Sequence, residues 1–154
     1  LLGNLGAGAW FGTLAARQLG AGSAWLLITS GAAAANLFDA WFGPASYRSV
    51  GASTAVFTAL GLMAAHSWRT RHDRRQLWAR RWSPLIAGAV LLGWFGSAGE
   101  GTDLVAHALG FTVGCVLGAA GAGALIPRDR VSQSLAGAAA LGSLALAWCL
   151  ALLR

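Results

Sequence analysis

TDLVAHALGFTVGCVLGAAGAGAL, residues 102–125, decides the fold. After Asp103 it carries no Asp, Glu, Lys or Arg until Arg128, and glycine or alanine fills nearly half of it. As a helix rising about 1.5 Å per residue it is long enough to cross a hydrocarbon core of roughly 30 Å. Working outward, five more apolar segments are bounded by charge, Pro or Gly/Ser clusters, at 1–16, 22–40, 51–67, 83–98 and 131–153. Segments 22–40 and 131–153 also meet the spanning length, and 51–67 is marginal. Segment 83–98 is short unless it runs on into Ser97–Gly101. Backbone groups in lipid must be satisfied within the segment, which selects helices, and no strand-like alternation supports a barrel. The expectation is an all-α, polytopic transmembrane bundle of about six membrane helices, forming a single domain over 1–154.

Composition agrees. Of 154 residues 56% are hydrophobic and only 10% charged, where a soluble domain carries about 25% charged residues. A soluble globule, a disordered chain and a nucleic-acid binder are excluded on that ground. The formal charge of +6 comes from eleven arginines with no lysine, six of them between Arg69 and Arg81. Basic loops beside a bilayer have this pattern. If the segments alternate in direction, nine arginines (17, 69, 71, 74, 75, 80, 81, 128 and 130) share one face, against Arg48 and Arg154 on the other. The positive-inside rule makes the nine-arginine face cytoplasmic, as expected for a multi-pass protein of a bacterial inner membrane. The Arg69–Ser83 stretch reads as a cytoplasmic loop with a short interfacial helix carrying Trp78 and Trp82. Cys115 and Cys149 read as buried thiols in separate helices, and their spacing supports neither a disulfide nor a metal site. No cofactor is expected. The chain opens on Leu1-Leu2-Gly3-Asn4 without Met or a signal peptide, so a clipped first segment and a missing earlier helix are expected.

Polar residues within apolar segments are costly in lipid and are candidates for function. Asp39 and His66 lie at segment ends, and a helix–helix hydrogen bond accounts for Asn36. Ser53 and His107 differ, because both helices run inward from them: sixteen residues to Arg69 and twenty to Pro127. At about 1.5 Å per residue those distances place both side chains in the outer part of the bilayer. Small residues recur every fourth position on both segments: Gly51, Ala55 and Ala59 on one, Ala106, Gly110, Gly114 and Gly118 on the other. Such rows let backbones approach closely. A hydroxyl, an imidazole and the free N–H groups of a helix start together make an acyl-transfer site. A packing serine and a silent, hydrogen-bonded histidine would leave the same pattern, and spacing does not choose.

Gly51-Ala52-Ser53-Thr54-Ala55-Val56-Phe57 resembles the GxSGxxF-type motif of the rhomboid family of intramembrane serine proteases. Ala106-His107-Ala108-Leu109-Gly110-Phe111, with Gly114, resembles that family's AHxxGxxxG helix, and Leu1-Leu2-Gly3-Asn4 the end of its HxxxN motif. The resemblance implies Ser53 as nucleophile and His107 as general base, a dyad without Asp. It also implies that Asn4 and the Ser53 N–H bind the oxyanion. Phe57 would fix the His107 ring, with Gly51 and Gly110 supporting the site. Segment 83–98 would be the mobile helix beside which a transmembrane substrate helix enters, and 131–153 an extra C-terminal helix. Thr54 departs from the family's usual Gly and puts a β-branched side chain beside the anion hole. Asp103 and Glu100 would hydrate the mouth. The expected partners are transmembrane protein substrates and the lipid bilayer, with no nucleic acid. The alternative function is an inactive rhomboid-like protein that binds transmembrane helices without cutting them.

Overall fold

A computed structural model describes residues 2–42, 52–70, 78–96 and 103–153. These residues form six helices: α1 (Leu2–Leu19), α2 (Ala21–Phe42), α3 (Ser53–Thr70), α4 (Trp78–Gly96), α5 (Leu104–Ala120) and α6 (Arg130–Leu152). No strand occurs among the described residues, so the all-helical expectation holds. By length and composition α2 and α6 are apolar enough to cross a membrane, while the apolar stretches Trp82–Trp94 and Leu104–Ala120 are shorter.

Two boundaries differ from the sequence reading. Segment 102–125 is not one helix: Gly121 takes a left-handed φ of 73° and its N–H turns back to the carbonyls of Gly118 and Leu117. A tight 3-10 turn, Ala122–Ala124, follows. The expected interfacial helix at Trp78 and Trp82 does not exist separately; those residues form the first turns of α4, which runs through Pro84. The Trp82 indole lies 5.6 Å from that of Trp68 and ties the start of α4 to α3.

Helices α3 and α5 pack most closely, and glycine is the reason. A methyl on Gly110 would lie 2.7 Å from the Thr54 carbonyl oxygen; methyls on Gly114 and Gly118 would fall closer still to the carbonyls of Thr58 and Leu62. Gly61 offers the reciprocal contact, against the carbonyl of Phe111. Each step of four on α5 matches a step of four on α3, so the helices are parallel. The α5 row is the one read from sequence, but the α3 row is not. Thr54, Thr58, Gly61 and Leu62 face α5, whereas Ala59 joins the core of Ala15, Leu19, Ala24, Ile28 and Leu62 toward α1 and α2.

Polarity is inverted relative to a water-soluble bundle. Besides Leu19, Ile28, Phe57 and Leu62 the interior holds mainly alanine, glycine and the buried polar residues Ser23, Thr54, Thr58 and His107, while Leu2, Trp10, Trp94, Leu141 and Trp148 stand outside. So large an apolar exterior suits hydrocarbon, where association relies on small-residue packing and internal hydrogen bonds. Cys149 is exposed and Cys115 half-buried, so the expectation of two buried thiols fails for Cys149. Asn36 also lies on the exposed face of α2, not between helices.

The C-terminal ends of α1, α3 and α5 converge. Arg128 donates to the Gln18 carbonyl, the Arg69 guanidinium lies against Gly121, and Leu19 packs beside Gly123. Arg17, Arg69, Arg128 and Arg130 therefore share one end of the bundle. Gly20 alone joins α1 to α2, at a φ of 96°. Gln133 of α6 sits over that turn, accepting from the Ser23 N–H at 3.1 Å and donating to the Ser23 hydroxyl at 2.7 Å and the Pro127 carbonyl at 2.9 Å.

Gly114→Val is expected to lower stability by about 1–3 kcal/mol through overpacking against α3. Gly142→Ala, where a methyl meets nothing within 4 Å, is expected to be neutral or stabilising by up to about 1 kcal/mol. Thermal unfolding of both variants in one detergent checks the contrast.

Candidate active site

The other end of the bundle brings Ser53 and His107 together. Ser53 is the first residue of α3, where backbone N–H groups have no partner within the helix and the dipole is positive. His107 stands in the first turn of α5, and its position is fixed from three directions. Its own N–H donates to the Asp103 carbonyl at 3.1 Å. The Asp103 carboxylate caps the helix, with Oδ1 accepting from the Ala106 N–H at 2.8 Å. The Phe57 ring, one turn below Ser53, lies 4.5 Å from the imidazole at a tilt of 38°. Only 5% of His107 is exposed.

Ser53 Oγ and His107 Nε2 are 2.7 Å apart. With the ring proton on Nδ1, Nε2 accepts the hydroxyl hydrogen, the arrangement that raises the oxygen's nucleophilicity. The register of the α3–α5 seam produces this pair. Gly110 lies against Thr54, so the residue before Thr54 and the residue one turn before Gly110 share a level.

A cavity of about 520 Å³ opens onto the pair. Ser53, Phe57 and His107 form one wall; Gly3, Asn4, Gly6, Ala7 and Trp10 of α1 form the facing one, and Leu91 of α4 borders it. Asn4 thus shares the cavity with Ser53, without a direct bond between them among those described. Gly110 lies outside the cavity, behind Thr54. Gly51 and Glu100 fall outside the described residues.

Two expectations about the mouth change. Thr54 does not project beside the anion hole: it is buried, absent from the cavity wall, and its methyl packs on the bare Cα of Gly110. Asp103 does not line the cavity either: one carboxylate oxygen caps α5, and the other is buried with no hydrogen-bond partner among the described residues. An Asp directly ahead of an apolar run is a helix-start signal, so its capping role was readable. Trp10, Phe11, Leu60 and Leu91 also line the cavity, and nothing in the sequence separates them from lipid-facing or core apolar residues.

The Rhomboid domain family model matches residues 1–124, which include Asn4, Ser53 and His107 and end ahead of α6. No curated protein and no solved structure matches the chain.

Thr54→Gly is expected to cost about 1–2 kcal/mol, from a lost buried methyl and a poorer helix former. Thermal unfolding measures the loss, and the Ser53 neighbourhood stays intact because the Thr54 side chain faces α5.

Proposed function

The chain belongs to the rhomboid family and is accordingly an integral membrane protein; from that premise we propose that it is an active serine endopeptidase cutting transmembrane-helix substrates. One observation carries this reading: a hydroxyl and an imidazole in hydrogen-bond contact, 2.7 Å apart, beside a cavity large enough for a peptide segment.

In the proposed reaction Ser53 Oγ attacks the scissile carbonyl carbon while His107 Nε2 takes the hydroxyl proton. The carbonyl oxygen becomes an oxyanion. The Ser53 N–H at the helix start and the side-chain amide of Asn4, which lines the same cavity, would donate to that charge, and such donors supply a large share of acyl-transfer catalysis. The tetrahedral intermediate collapses, the C–N bond breaks, and the amine leaves with the proton from the imidazolium. A water then attacks the Ser53 ester. His107 takes its proton, the C–O bond to Ser53 breaks, and the proton returns to Oγ. The Phe57 ring and the Asp103-capped first turn keep the imidazole on this line. No metal or cofactor enters.

A helical peptide hides its carbonyls in hydrogen bonds, so the substrate must unwind before attack. Segments weakened by small or polar residues are the cheapest to unwind. Among the described residues only Leu91 borders the cavity from α4, and the α4 side is the proposed entrance for the substrate. Placing the arginine end in the cytoplasm by the positive-inside rule puts Ser53 and His107 near the outer leaflet.

The test is cleavage of a model transmembrane substrate by the full chain in liposomes. Ser53→Ala and His107→Ala are each expected to lower the rate by 10³-fold or more, and Asn4→Ala by about 10²–10³-fold. A fluorophosphonate probe is expected to label the wild type at Ser53 and leave Ser53→Ala unlabelled. A wild type that binds the substrate helix but neither cleaves it nor takes the probe would overturn the reading in favour of a non-cleaving helix binder.

A further inference from the structure

The cleft between α2 and α6 takes no part in the reaction above. It holds about 360 Å³ and is lined by Trp25 and Thr29 of α2 and by Gly137, Ala140, Leu141 and Leu144 of α6. The helices meet where Gly137 faces the Gly22 backbone, at 3.8 Å for an added methyl, and Gln133 locks the same end to Ser23. Beyond that crossing the groove lies open between the two helices. The Trp25 ring is packed over α1, where a methyl on Gly12 would come within 3.0 Å of it.

The chemistry of the walls selects the occupant. Thr29 supplies the only hydroxyl, and that hydroxyl already donates to the Trp25 carbonyl at 2.8 Å. What enters must therefore be hydrocarbon. From Gly137 to Leu144 the groove runs along seven residues, roughly 10 Å. A helix of that length and about 10 Å across would occupy roughly 800 Å³, more than twice the space present. One flexible chain fits within it, whereas a transmembrane helix could only lie across its mouth.

Charge marks the end from which the occupant enters. The groove begins one to two turns from the starts of α2 and α6, at the arginine end. Arg128 and Arg130 flank the first turn of α6, Arg17 stands in the last turn of α1, and all three are exposed. Their local counter-charge is Asp129, whose carboxylate is engaged with the Ser132 N–H at 2.9 Å. Hydrogen bonds from Ser132 hold that carboxyl below the usual carboxylate range, so it is ionised and subtracts one charge. Two positive charges remain in excess. Guanidinium groups beside an apolar slot at the bilayer surface suit a phosphate on an acyl chain.

We propose that this groove is a binding site for an anionic phospholipid, with one acyl chain between α2 and α6 and its phosphate at Arg128 and Arg130. The lipid would complete the packing of α6, which otherwise buries only Ala136 and Ala140. The site lies apart from Ser53 and His107 and stands whether or not the chain cleaves anything.

Native mass spectrometry of the full chain, released from nanodiscs of equal phosphatidylglycerol and phosphatidylcholine, tests it. Phosphatidylglycerol is expected to be the retained lipid. Arg130→Gln is expected to weaken its retention about fivefold, and Arg128→Gln with Arg130→Gln more strongly. Leu141→Trp with Leu144→Trp, at positions open to lipid, fills the slot and is expected to release the lipid with both arginines in place. Equal retention of the two lipids, full retention by the slot-filled variant, or a slot-filled variant that changes only oligomeric state would each overturn the proposal. The last result would assign the groove to a second copy of the chain.

Discussion

The contact on which the rest depends is backbone against backbone, where α5 presents Gly110, Gly114 and Gly118 to the carbonyls of α3. Hydrocarbon gives helices no hydrophobic reason to associate, so close van der Waals approach and short-range polar contacts have to do so. A row of glycines provides both. It also removes freedom, because a carbonyl nested on a bare Cα permits neither rotation of the helix nor a slide of less than a full turn. The depth of Ser53 relative to His107 follows from that interlock. A slip by one turn, about 5.4 Å, would separate the pair beyond any hydrogen bond.

Threonine does its packing within the same seam. Thr58 is fully buried, its hydroxyl returned to the Thr54 carbonyl at 2.8 Å and its methyl set against Gly31 of α2. It joins three helices without leaving a polar atom unsatisfied. Thr54 does similar work one turn higher. A β-branched residue next to Ser53 is accommodated because the opposing helix has no side chain at Gly110.

Much of this was legible beforehand. Six segments, their alternation and the clustering of arginines follow from where charge is absent. The α5 row of small residues also stood out, because glycines at every fourth position have few other uses in a helix. The α3 row did not. Ala55 and Ala59 are as small as Thr54 and Thr58, and only the opposing surface decides which face turns inward. The segment bounded at 83–98 starts five residues inside α4, which begins at Trp78 because the arginines that bound the apolar run do not break a helix. Phe57 and His107 were readable as a pair only through a known motif, whereas the α1 and α4 residues of the cavity wall depend on interhelical distances that no local pattern encodes.

The one-residue join at Gly20 has a mechanical consequence. With no slack between them, α1 and α2 behave as a single hairpin, and Gln133 clamps its bend from the side. Asn4 lies on α1 fifteen residues, roughly 22 Å, from the clamp. One wall of the cavity therefore takes its orientation partly from the opposite surface, through Gln133 of a helix that does not line the cavity among the described residues. Helix α4 meets the same cleft at Leu91, tied to α3 through Trp82 and to α3 and α5 through Gly88.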